Sequence, residues 1–198
     1  MQIALDPPFR RARESDARAI AQLTSYAGEG MPDFFWAEEC RPGETPLDIG
    51  ARRAARSGVN FSYENAIVGE DQGRVTALLL GYPIDDTDPG DLSKMPALVH
   101  PLCRLECLVA GSWYINVLAT MPDYRRQGLG SRLLRVAEDV TRACGRSVIS
   151  IIVSSENGDA LRLYETTGFR VLASEPSVPH PKLQPHGDWL LMTRNIGG

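Results

Sequence analysis

Trp113-Tyr114-Ile115-Asn116-Val117-Leu118-Ala119-Thr120-Met121-Pro122-Asp123-Tyr124-Arg125-Arg126-Gln127-Gly128-Leu129-Gly130 is the stretch that decides the fold. Its first part, Trp113 to Ala119, is aromatic and β-branched and predicts a strand. Beyond the glycines, Leu129, Leu133, Val136, Ala137, Val140 and Cys144 recur at intervals of three or four, which predicts a helix over Gly130 to Ala143. One side of that helix covers a sheet while Arg132, Arg135, Glu138 and Asp139 face water. Ser147 to Val153 predicts the next strand, so the order is strand, loop, helix, strand.

The loop is the chemically informative part. A strand delivers the chain into a turn whose glycines, Gly128 and Gly130, allow close backbone approach. The helix that follows begins with amide hydrogens that have no acceptor inside the helix and can receive phosphate oxygens. Arg125 and Arg126 add positive charge beside them. A glycine pair also serves a tight turn that binds nothing, so the pair alone decides little. Gly128-Leu129-Gly130-Ser131-Arg132-Leu133 lacks the third glycine of a dinucleotide fingerprint, and no Gly-Lys-Ser/Thr ending marks a mononucleotide loop. These negatives point to another phosphate-bearing cofactor.

Toward the N-terminus, Ile3 to Arg10 predicts a first strand, and Asp16 is the expected cap of a helix carrying Ala17, Ile20, Leu23, Tyr26 and Ala27. Gly28 and Gly30 end it. Met31 to Glu39 mixes aromatics with acids, so Phe34, Phe35 and Trp36 either line a cleft or join the core, the second being commoner for aromatics. Asp48 is the expected cap of a helix through Ala55. Phe61 to Gly69 and Arg74 to Tyr82 read as an antiparallel pair around the turn Glu70-Asp71-Gln72-Gly73. Pro83 to Gly90, with Asp85, Asp86 and Asp88, reads as a solvated acidic loop, because it lacks the ligand spacing of a calcium loop. From Pro96, Leu98, Leu102, Leu105, Leu108 and Val109 have helical spacing up to Gly111. After the Ser147 strand, a short helix is expected from Asp159 to Thr166, then the Gly168 turn, a strand starting Phe169 to Leu172, a turn-rich link to Gly187, and a last strand at Trp189 to Met192. No linker or repeat interrupts this order, so residues 1–198 are read as one domain.

Composition narrows the classes. With 21 Lys+Arg against 25 Asp+Glu and a net charge of -4, the chain lacks the basic excess wanted for nucleic-acid binding. No run of about 18 apolar residues supports a membrane span, and the first residues contain acids and no continuous apolar stretch, so the expectation is a cytoplasmic protein without export signal. Cys40, Cys103, Cys107 and Cys144 form no paired knuckles, and Cys103 and Cys107, four apart in an apolar helical segment, read as buried thiols rather than as metal ligands joined by His100, so neither a metal nor a required disulfide is expected.

At the loop, the sequence resembles the GCN5-related N-acetyltransferase (GNAT) family. Arg125-Arg126-Gln127-Gly128-Leu129-Gly130 is similar to the family's Gln/Arg-x-x-Gly-x-Gly/Ala acyl-CoA motif, and Ile115 to Met121 with Pro122 and Tyr124 matches the approach to it. Asn157 to Phe169 is similar to a second characteristic region, with Asn157 and Tyr164 at its cofactor-side positions. The resemblance implies a mixed α/β acyl-CoA N-acyltransferase fold, a mostly antiparallel central sheet flanked by helices. It implies acetyl-CoA as cofactor, with no metal. The strand near Val117 to Ala119 would accept the pantetheine arm, Gln127, Gly128, Leu129, Gly130 and Ser131 would cradle the diphosphate, Leu118, Ala119, Thr120, Arg125 and Arg126 complete the cofactor side, and Asn157 would meet the cofactor or a helix terminus. The implied reaction is direct attack by a primary amine of a small molecule or peptide; the alternative is an acyl-CoA-binding regulatory module with little transfer. A homodimer is compatible with the resemblance, and no nucleic-acid or membrane partner is expected.

An amine attacks only when neutral, and the departing thiolate needs a proton. Tyr164 is the expected acid, with an aromatic anchor as its structural alternative. Glu106 is the first choice of base, followed by Glu38, Glu39, Asp33 and His100, each of which a surface or loop role also explains. His180 and His186 lie in the late loop without metal spacing, and Asn116 has an ordinary strand-edge role open to it.

Overall fold

In the computed structural model, which describes residues 3–88, 90–183 and 187–197, strands β2 (Ala66–Asp71) and β3 (Arg74–Pro83) are joined by Gln72 and Gly73. Both joining residues are left-handed, at φ 47° and 79°. Two such residues give the hairpin turn whose twist matches its strands, so the hairpin is tighter than the four-residue turn expected from sequence. The pair is antiparallel, with Ala66 opposite Leu80 and a register shift at Gly69/Glu70.

The chain divides into two compact units, one holding the described residues of Gln2–Tyr82 and Asn116–Val136, the other those of Pro83–Ile115 and Ala137–Gly198. In the first, β1 (Phe9–Arg11) pairs antiparallel with β2, Phe9 opposite Gly69. The strand expected over Ile3 to Arg10 is only these three residues, because Pro7 and Pro8 bring no amide to a ladder. Arg10 donates to both oxygens of Asp16 (2.7 and 3.0 Å) and to Glu70 (2.6 Å). Asp16 stands at the start of α1 (Ala17–Ala27) but makes no side-chain cap bond. Its carboxylate is taken by Arg10 and by the Arg13 amide at 2.7 Å, which corrects the capping expectation.

Met31–Glu38, ambiguous in sequence, is helix α2, opened by Pro32 in its first turn. Trp36 is buried with Ala21 and Ile49, while Phe34 and Phe35 stay half-buried, their rings edge-on at 5.3 Å. Helix α3 (Pro46–Ala54) is capped by Thr45, not Asp48: Thr45 accepts from the Asp48 amide and Asp48 answers from the Thr45 amide (2.9 Å), a reciprocal box. The residues before β2 also depart from strand, since Ser62 caps a one-turn helix at Tyr63–Asn65. Beneath these elements Ile20 and Leu23 of α1 pack with Val68, Leu78, Leu80, Val117 and Ala119. Burying each of the larger side chains contributes about 2 kcal/mol.

In the second unit, α4 (His100–Cys107) precedes β4 (Trp113–Thr120), whose first residues run parallel to β5 (Val148–Ser154), Ile115 opposite Ile151. β7 (Asp188–Asn195) pairs antiparallel with β5 and with β6 (Arg170–Pro176); both strands run longer than expected. Gly158–Thr166 forms a short helix. The seven-stranded sheet has the order β1-β2-β3-β4-β5-β7-β6, mixed and mostly antiparallel with helices flanking it, as predicted. The long helix α5 is Leu129–Ala143. Its buried residues are Leu129, Leu133, Leu134, Ala137 and Thr141; Val136, Val140 and Cys144 are only half-buried, so the apolar stripe is rotated from the expected one. Thr141 is buried because its hydroxyl returns to the Ala137 carbonyl at 2.7 Å. Among the described residues no helix is long and apolar enough to cross a membrane.

Candidate active site

The residues between β4 and α5 belong to the first unit and are held from both sides. As β4 ends, the Met121 amide donates to Thr76 of β3 at 2.8 Å. A single turn at Pro122–Tyr124 follows, and the Tyr124 hydroxyl donates to Asp71 at the hairpin tip, 3.1 Å away. Within the loop Arg125 Nε reaches back to the Thr120 carbonyl (3.4 Å) and Gln127 Nε2 to the Asp123 carbonyl (3.2 Å).

Arg126 and Gly128 then adopt left-handed backbone, φ 63° and 79°, immediately before α5 begins at Leu129. A non-glycine residue there is unusual and costs about 1 kcal/mol, so the rest of the loop must enforce it. Alternating left-handed residues turn successive amides toward one concavity, the backbone arrangement that receives anions. The first helical bond joins the Arg132 amide to the Gly128 carbonyl at 3.1 Å. The amides of Leu129, Gly130 and Ser131 therefore lie in the turn that a helix cannot satisfy internally, at the positive end of its dipole. Leu129 is buried and anchors this turn, whereas residues 125–128 are exposed. A Cβ built on Gly128 meets nothing within 4 Å, so open space lies on that side of the backbone. Leu118 and Thr120 are half-buried and Ala119 is buried.

The second unit holds the other expected residues. Asn157 caps the Gly158–Thr166 helix, here α6, by accepting from the Ala160 amide at 3.1 Å. The local geometry thus supports the helix-terminus role foreseen for it. Tyr164 is 5% exposed, packed against the ring of Phe169 with centroids 5.7 Å apart. Burial pushes its phenol well above the ordinary tyrosine range. Its hydroxyl has no hydrogen-bond partner among the described residues. Burial also raises the carboxyl of Glu106 on α4, against a smaller lowering by its hydrogen bond with Tyr114 of β4.

The alternative bases have other occupations. Asp33 accepts from Ser25 at 2.5 Å, Glu39 pairs with Arg53, and Glu38 is exposed on α2. His100 Nε2 lies 3.0 Å from the Met95 carbonyl, His180 Nδ1 accepts from the Lys182 amide, and His186 lies outside the described residues. Asn116 is exposed on β4. Among the described residues no three His, Cys, Asp or Glu side chains gather as a metal site, and the four cysteines form no disulfide and are half-buried, Cys103 and Cys107 thus less deeply set than expected. Sequence reasoning missed three features: the left-handed Arg126, the Tyr124–Asp71 tie and the Tyr114 partner of Glu106. The first had no signal in residue type. The second joins residues distant along the chain, and the third depends on how α4 packs beside β4, which no local pattern states.

Residues 34–169 match the family model described as the acetyltransferase (GNAT) family. The chain belongs to that family. Its matched span contains the loop, Glu106, Asn157 and Tyr164. This GNAT chain is 36% identical over 185 residues, 93% of its own length and 90% of the relative's, to the L-amino acid N-acyltransferase MnaT of Escherichia coli strain K12. Over 72 residues, 36% of this chain and 40% of the relative, it is 35% identical to the L-methionine sulfoximine/L-methionine sulfone acetyltransferase of Salmonella typhimurium. In fold it is similar to the solved structure of yncA from Salmonella typhimurium with its cofactor acetyl-CoA, at TM-score 0.59 and 21% identity, covering 96% of this chain and 94% of that one. As a GNAT member it is an acyltransferase.

Proposed function

We propose that this GNAT chain, acting as one domain over residues 1–198 in the cytoplasm, transfers the acetyl group of acetyl-CoA to the primary amine of an α-amino acid or a closely related small molecule. The observation that carries the reading is the paired left-handed backbone at Arg126 and Gly128 directly ahead of the α5 amides. That cradle suits a diphosphate, because backbone donors and a helix dipole bind anions without needing a particular side chain. The acceptor class is supported by the named activities of the two curated relatives, both directed at amino-acid compounds.

Acetyl-CoA supplies the thioester that is attacked. Gln127, Gly128, Leu129, Gly130 and Ser131 are assigned to its diphosphate, with Arg125 and Arg126 adding charge, and Leu118, Ala119 and Thr120 to its pantetheine arm. Strand amides near Leu118 and Ala119 are assigned as the donors that would stabilise negative charge on the thioester carbonyl oxygen. Tyr164, protonated at neutral pH like an ordinary tyrosine, is assigned to give its proton to the leaving sulfur, and burial, by raising its phenol, makes it a weaker acid than an exposed tyrosine. Glu106, with its carboxyl raised by burial, is a stronger base than an exposed glutamate and is assigned to the proton of the incoming ammonium. Asn157 is assigned to hold the start of α6, and through it Tyr164.

The test is release of free CoA from acetyl-CoA across a panel of L-amino acids, their sulfone and sulfoximine analogues, simple amines and short peptides. Saturable release with one amino-acid group is expected. Binding of acetyl-CoA with no release across the panel would overturn the transferase reading for this chain, and no binding at all would overturn the cradle.

A further inference from the structure

Building on the diphosphate reading, we infer that Arg132 is a positioning residue, fixing the first turn of α5 and hence the cradle amides onto strand β1. Its backbone makes the first bond of the helix, to the Gly128 carbonyl. Its side chain leaves the helix toward β1, where Nη2 donates to the Pro7 carbonyl at 2.9 Å. The guanidinium carbon lies 4.9 Å from the centre of the Phe9 ring.

Both contacts end on a fixed support. Phe9 is buried, and it sits opposite Gly69, where a Cβ would approach the Phe9 ring edge to 3.4 Å. The next residue, Arg10, is clamped by Asp16 and Glu70. One side chain therefore ties a helix end, the part most prone to fray, to a strand fastened on its other flank. The planar guanidinium can stack on a ring and donate in its plane at once, which an ammonium does less well. Because the guanidinium is engaged by Pro7 and Phe9, it serves the cradle by holding it, not by meeting phosphate. Donors held in place before a ligand arrives need no ordering when it binds, so loss of the tie weakens the ligand held by those donors.

The experiment uses the full chain and compares the wild type with Arg132→Ala, Arg132→Lys and Phe9→Leu. Calorimetry gives the Kd of acetyl-CoA, and steady-state kinetics with acetyl-CoA and with S-acetylpantetheine, which lacks the diphosphate, give KM and kcat. Arg132→Ala is expected to raise Kd and KM for acetyl-CoA about five-fold, a fraction of what one cation–π contact and one charged hydrogen bond contribute together, because the tie acts on the ligand only through the cradle. Its kcat and its KM for S-acetylpantetheine should stay within two-fold of wild type on the same reasoning, and Arg132→Lys should recover part of the loss. Equal losses with both donors would overturn the inference, as would an unchanged Kd in a wild-type-like fold. If Arg132→Ala does not fold, Phe9→Leu carries the same selective expectation and the same refutation. A wild type that binds no acetyl-CoA would instead remove the diphosphate reading beneath it.

Discussion

Replacing Gly128 by alanine separates the strain of the loop from the presence of a ligand on it. The added methyl finds no protein atom within 4 Å, so no steric cost arises inside the chain. What remains is the backbone: at φ 79° an L-residue pays about 1 kcal/mol that glycine does not. For a chain of 198 residues that amounts to a fall in Tm of about 3 °C, measurable by calorimetry without ligand. If the diphosphate lies against these amides, the methyl occupies space next to it and the strained residue retreats toward negative φ. Acetyl-CoA binding should then weaken by about ten-fold or more, equivalent to about 1.4 kcal/mol. The two readings are independent, since the first is taken on free protein and the second by titration. Wild-type affinity for acetyl-CoA in a variant that shows the expected small loss of stability would refute the cradle while leaving the conformational argument intact.

Tyr164→Phe should leave stability equal or higher, because it removes a buried hydroxyl with no partner among the described residues, while kcat falls about a hundred-fold if that hydroxyl delivers the proton; equal kcat would refute the role. Glu106 gives a pH prediction with a definite sign. Its carboxyl is raised in the folded state, so that state binds more protons than the unfolded one and stability falls as pH rises from the ordinary glutamate value through the raised one. Urea unfolding should show Glu106→Gln losing this fall and exceeding wild type above the window, with no crossover counting against the shift. Ser112 and Ser150 share a buried hydroxyl bond of 2.6 Å, so either alanine variant should cost about 1–3 kcal/mol by orphaning the other, and the double variant should cost less than the two singles added. Strict additivity in denaturant unfolding would remove the pairing.

How far the sequence reveals this molecule depends on whether a feature is local. The β4 strand, the α5 helix and the β2–β3 hairpin each carry their cause within a few residues, in apolar period or in turn chemistry, and all three appear in the structure. The mistaken caps show the limit of that logic. Asp16 and Asp48 both look like capping residues, yet one is claimed by Arg10, six residues away, and the other answers Thr45 from the third helical position. A short acid identifies a helix start without saying which backbone amide it will take. The rotation of the α5 stripe has the same origin: Thr141 is polar by type and buried by virtue of a bond to its own helix.

The candidate site divides along the same line, and the division has a physical reason. Donor recognition here is built from main chain, and main-chain sites need only a strand, a turn of suitable handedness and a helix start, all of which leave marks in sequence. Glycine at 128 announces a left-handed residue; arginine at 126 does not, and its conformation follows from ties such as Tyr124 to Asp71 and Arg125 to Thr120 that close the loop around it. The acid and base candidates depend instead on what buries them. Tyr164 owes its raised phenol to burial, in a setting that includes Phe169, while the raised carboxyl of Glu106 reflects burial less the bond from Tyr114. Neither environment is written in the residue itself. Side-chain chemistry should accordingly diverge faster than the cradle among chains of this fold, so exchanging Glu106 or Tyr164 should alter kcat and its pH profile while leaving acetyl-CoA affinity near wild type. A parallel fall in that affinity in either variant would show that donor binding and proton transfer are not separable here.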